Sequence, residues 1–75
     1  PYGVLRVRVT APTTDARIPV SVFERERPEA PLHEQFLNDE DEVVLRVPSG
    51  TYRVRYDHRE AEGSVHGGTF NTVEM

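Results

Sequence analysis

Arginine supplies the basic chemistry of this sequence: nine Arg and no Lys stand against 13 Asp and Glu, for a net charge of −4. Five of them, Arg6, Arg8, Arg46, Arg53 and Arg55, alternate with apolar residues in Leu5–Val9 and Val43–Tyr56. A guanidinium presents planar, two-pronged donors that match carboxylates and phosphates. If the first of these stretches shares a sheet with the second, the five form one basic face suited to an acidic partner. The plainer reading pairs them across strands with Glu24, Glu42 or Asp57, or lays them flat over apolar surface.

An acidic counterpart, Asn38-Asp39-Glu40-Asp41-Glu42, is dense in the oxygen ligands that Ca²⁺ requires. It lacks the glycine and terminal glutamate of a calcium-binding loop, so it reads as a solvated turn whose charge discourages edge-to-edge aggregation. Asp57, His58, Glu60 and His66 have the donor types of a zinc site. The histidines are too far apart in sequence for a compact ligand motif, and they read as exposed loop residues, as does the isolated His33. No metal and no cofactor are expected.

Catalytic constellations are absent. Pro1 has the chemistry of the N-terminal proline base of the small tautomerases, which carry a long helix after their first strand. Here Pro12, Pro19, Pro28 and Pro31 forbid such a helix. Ser21 and Ser49 lack a nucleophile-elbow context, and Gly67-Gly68 is not a phosphate loop. The sequence predicts a protein that is not an enzyme.

The elements that position these residues follow from a period of 2. Leu5, Val7 and Val9 share one face of a strand over Val4–Thr10. Ile18, Val20 and Val22 do so over Ile18–Glu24, where Pro19 marks a sheet edge or trims the strand's start. Arg25–Pro31 is a connection. His33–Leu37 fits a single helical turn, with Leu32 and Phe36 four apart, or, preferred, a short strand from which the acidic turn leads into Glu42–Val47. Val43, Leu45 and Val47 face the core on one arm, and Tyr52, Val54 and Tyr56 on the other. Pro48-Ser49-Gly50 between them predicts a hairpin with φ > 0 at Gly50. Asp57–Gly68 reads as a polar loop, and Thr69–Met75 as a terminal strand.

Gly3-Val4-Leu5-Arg6-Val7, Ile18-Pro19-Val20-Ser21-Val22 and Val44–Val54 together resemble the carboxypeptidase regulatory-like (transthyretin-like) β-sandwich domains. The one distinctive piece is the Val-Pro-Ser-Gly-Thr-Tyr-Arg-Val run at Val47–Val54. The likeness spans residues 3–56. It departs at the acidic turn, which has no glycine, and in the tail from Asp57. It implies a non-catalytic module that packs on or displays other domains, and brings no catalytic residues with it.

The expectation is therefore one all-β domain over residues 1–75, a small antiparallel sandwich or partly open barrel of five to seven strands. A chain this short buries only about 60% of its unfolded surface and, with no cysteine, has no disulfide to compensate. Help from another protein, or from further copies of itself, is expected. Nucleic acid is not the default partner at this charge. The apolar runs are too short to span a membrane, and no signal-peptide core is present, which favours the cytoplasm or a processed chain. The docking module is the leading reading, through the Arg face or through open edges at Thr69–Met75 and the Pro19 strand. A small acidic inhibitor that occupies a basic active site with the Asp39–Glu42 turn and Glu24–Glu34 is a second. A carbohydrate or polyanion binder is a third, disfavoured by a scarcity of exposed aromatics.

Overall fold

The computed structural model describes all 75 residues, Pro1–Met75. It contains seven strands and no helix: β1 (Tyr2–Arg8), β2 (Val20–Glu24), β3 (His33–Gln35), β4 (Glu42–Pro48), β5 (Gly50–Tyr56), β6 (Arg59–Val65) and β7 (Phe70–Glu74). No segment is therefore a helix long and apolar enough to cross a membrane. The strands form two sheets, β4-β1-β7 and β3-β2-β5-β6. All pairings are antiparallel except β1 with β7, which run parallel.

The alternating residues do what their period requires. Leu5, Val7, Val20, Val22, Val43, Leu45, Val47, Tyr52, Val54 and Tyr56 are buried, and with Val9, Val65 and Val73 they form one core cluster. Burying a side chain of this kind stabilises by about 1.5–3 kcal/mol, so a valine-rich layer between two sheets is the main source of stability. The three phenylalanines are all outside that cluster. Phe23 is buried instead on the outer surface of its sheet, beneath the Arg55 guanidinium at 4.8 Å.

Four expectations are corrected. The Val43–Tyr56 stretch is not a hairpin: β4 pairs with β1, and β5 with β2 and β6 in the other sheet. Pro48-Ser49 carries the chain across the sandwich, where the Ser49 N–H donates to the Pro1 carbonyl at 3.0 Å and the Tyr52 hydroxyl donates to the Pro48 carbonyl. Gly50 has an ordinary φ; Gly68 is the one glycine in the left-handed region, at 74°. Inward residues on both arms satisfy a crossing as well as a hairpin, so alternation alone does not separate the two.

The polar stretch Asp57–Gly68 contains β6, joined to β5 by a two-residue turn at Asp57-His58. Asp57 takes a φ of 55° there, a conformation aspartate tolerates. Between Arg59 and Val65 the inward positions of β6 are Ala61 and Gly63, too small to announce a strand. Their size is required, because a Cβ on Gly63 would lie 2.4 Å from Val73 Cγ2. The Pro19 segment is not an edge. Pro19 precedes β2, which lies inside its sheet between β3 and β5. Last, β7 is an edge as expected, but parallel to β1.

Candidate functional site

The five arginines do not form one face. Arg6, Arg8 and Arg46 stand on β1 and β4, while Arg53 and Arg55 stand on β5 in the opposite sheet. Register explains what each set meets. Arg53 is opposite Glu62 and Arg55 opposite Glu60 on the unanticipated strand β6. The result is a lattice of ion pairs: Arg55 Nε–Glu60 at 2.9 Å, Arg53 Nε–Glu60 at 3.7 Å and Arg25 Nε–Glu62 at 3.8 Å. Exposed pairs of this kind contribute about 0.2–1 kcal/mol each, and they leave this surface close to neutral.

The outer face of β4-β1-β7 differs in kind. Three residue rows cross it: Arg46–Val4–Phe70, Val44–Arg6–Thr72 and Glu42–Arg8–Glu74. Tyr2 precedes the first row, opposite Pro48. Tyr2, Val44 and Phe70 are 54%, 47% and 59% exposed, three of the five large apolar side chains that face solvent. Scattered exposed apolar residues need no explanation; these three stand on one sheet face.

Charge is graded across these rows. Glu42 binds Arg8 Nε at 3.1 Å and approaches Arg6 at 3.9 Å, so these charges are satisfied within the chain and Glu74 leaves the third row acidic. The Arg6 guanidinium lies 5.1 Å from the centre of the Phe70 ring, and its Nε–H donates to Thr72 Oγ1 at 3.3 Å. Arg46 forms no ion pair and rests 5.4 Å from the centre of the Tyr2 ring. Guanidinium stacked on exposed aromatic rings is a recurrent pattern in binding surfaces, because both groups shed water readily.

Tyr2 and Phe70 therefore correct the expected scarcity of exposed aromatics. Neither lies in a long alternating run, and their signal is visible only once β1 and β7 are known to be neighbours. Val44 also escaped notice, as the outward member of Val43-Val44-Leu45.

The acidic turn is built by Asn38, whose Oδ1 accepts the N–H groups of Glu40 at 2.8 Å and Glu42 at 3.0 Å. Asp41 completes it with a φ of 59°. Asp39, Glu40 and Asp41 are exposed, whereas Glu42 is committed to the arginines. Asp57 lies 3.6 Å from neighbouring His58 and Glu24 pairs with Arg27; neither meets the five strand arginines. No three His, Asp or Glu side chains are grouped as metal ligands would be.

The Tyr52 hydroxyl has a displaced pKa. Burial raises it above the ordinary 10.0, with Glu24 and Tyr2 adding to the shift. It lies in the core and caps the sheet crossing, a structural role. Comparison with protein-family models, curated proteins and solved structures returned no match.

Proposed function

We propose that this chain is a non-catalytic binding module that docks to another protein through the outer face of β4-β1-β7. The observation carrying this reading is the placement of Tyr2, Val44 and Phe70 beside Arg6 and Arg46 on one sheet, opposite a sheet whose arginines are paired internally. The chemistry fits a partner surface of apolar side chains with a carboxylate to receive Arg46. The resemblance of Val47–Val54 to regulatory-like sandwich modules points the same way. The acidic turn supports an inhibitor less well, since Glu42 is already engaged.

The experiment compares proteins retained from the native host by the parent chain, by Phe70→Ser with Val44→Ser, and by Arg53→Ser. Loss of a specific partner in the first variant, with retention in the second, supports the face. Equal retention by all three removes it. Single-stranded nucleic acid is a second reading, favoured by the aromatic–arginine stacks and opposed by the net charge of −4. It requires binding to an oligonucleotide that weakens steeply with salt.

A further inference from the structure

The free edge of β4 is self-matching, and we infer that it pairs with the β4 edge of a second copy of this chain. The inference goes beyond the docking face, which such pairing leaves uncovered. Its basis is the hydrogen-bond phase of the strand. The Val9 N–H donates to the Asp41 carbonyl and the Ser49 N–H to the Pro1 carbonyl, both at 3.0 Å, at the two ends of the β1–β4 ladder. Bonding alternates along an antiparallel pair. Val43, Leu45 and Val47 therefore exchange bonds with β1, while Glu42, Val44, Arg46 and Pro48 turn their backbone groups to the open edge.

The chain satisfies both ends of that edge itself. The Glu42 N–H donates to Asn38 Oδ1 at 3.0 Å, and the Glu42 carbonyl accepts the Asn38 N–H at 2.8 Å. Pro48 has no N–H, and its carbonyl accepts the Tyr52 hydroxyl. Two N–H and two C=O groups are left, on Val44 and Arg46. The other border of this sheet, β7, is packed against β6 through Val73 and Gly63. Edge strands commonly carry an outstretched charge that blocks pairing. Here the one charge in the open part is Arg46, and its guanidinium is drawn back over Tyr2 on β1.

A second copy, turned by a two-fold axis at Leu45, sets Val44 against Arg46 of the other chain and Arg46 against its Val44. Four backbone hydrogen bonds result. Glu42 then falls opposite Pro48 of the other copy, a pair in which neither residue has a group left to satisfy. An ordinary partner strand would bring its own N–H and C=O to those end positions and find no mate. The second copy is thus the better match. The contact is isologous and closed, and it makes one six-stranded sheet. A contact of four backbone bonds between two edge strands is too small for a permanent interface, so the dimer should dissociate on dilution.

Sedimentation velocity across about 10 μM to 1 mM, with amide exchange measured at both ends of the range, tests this. The expected result is a reversible dimer in which the Val44 and Arg46 amides gain protection with concentration. Val44→Pro removes an N–H that β1 does not use and should weaken the dimer about tenfold or more. Phe70→Ser, on the face rather than the edge, should leave it unchanged. A monomer throughout, or a dimer that survives Val44→Pro, overturns the proposal. If Val44→Pro does not fold, unprotected Val44 and Arg46 amides in the parent dimer overturn it equally.

Discussion

Gly63 of β6 and Val73 of β7 touch across the border between the two sheets, so closely that a Cβ on Gly63 would meet Val73 Cγ2 at 2.4 Å. The contact closes one flank of the sandwich without a hydrogen-bonded pair.

Gly63→Val should therefore push β7 away from β6 and destabilise the fold by about 2 kcal/mol or more, through overpacking. Urea unfolding of the variant measures it. A midpoint equal to that of the parent would show that this flank yields freely.

Tyr52 gives stability a dependence on alkaline pH. Its unfolded-state pKa is near 10.0 and burial raises the folded one. The folded state therefore holds the proton more tightly. Its contribution is fully present below pH 10.0 and is lost as pH rises through the folded value. Tyr52→Phe should flatten that alkaline decline while lowering stability at neutral pH by about 1 kcal/mol, because the bond to the Pro48 carbonyl is gone. Thermal melts between pH 7 and 11 check both, on the scale set by the ordinary tyrosine pKa of about 10.

Arg59 clamps three carbonyls with one guanidinium: Thr10 at 2.6 Å, Ala11 at 2.7 Å and Met75 at 3.2 Å. Arg59→Lys keeps the charge but loses the fork, and should cost about 1–2 kcal/mol in chemical denaturation. Retained stability with lysine would reduce the clamp to a charge effect.

Ala11 holds a φ of 50° where the chain leaves the first strand. A left-handed conformation costs a residue with a Cβ about 1–2 kcal/mol, and glycine adopts it freely. Ala11→Gly should raise the melting temperature by a few degrees. A lowered melting temperature would show that glycine's flexibility outweighs the relief.

Much of this architecture was legible from alternation. Leu5, Val7, Val20, Val22, Val43, Leu45, Val47, Tyr52, Val54 and Tyr56 all turn inward as a period of 2 requires. What alternation does not encode is which strand lies beside which. The hairpin reading failed because Val47 and Tyr52 face the same core whether β4 and β5 are neighbours or sit in opposite sheets. β6 escaped because Ala61 and Gly63 are inward for their smallness, a demand imposed by Val73. The candidate face was missed for the same reason. Tyr2, Val44 and Phe70 come from three strands, and only pairing brings them together.

The parallel union of β1 with β7 has a consequence for how the molecule comes into being. On a ribosome, β1 emerges before β7 and must wait for residues 9–69 before its second neighbour exists. Closing so long a loop is entropically costly, and topologies of this type fold slowly. During that wait the side of β1 reserved for β7 is a bare template, open to chaperones or to misdirected pairing.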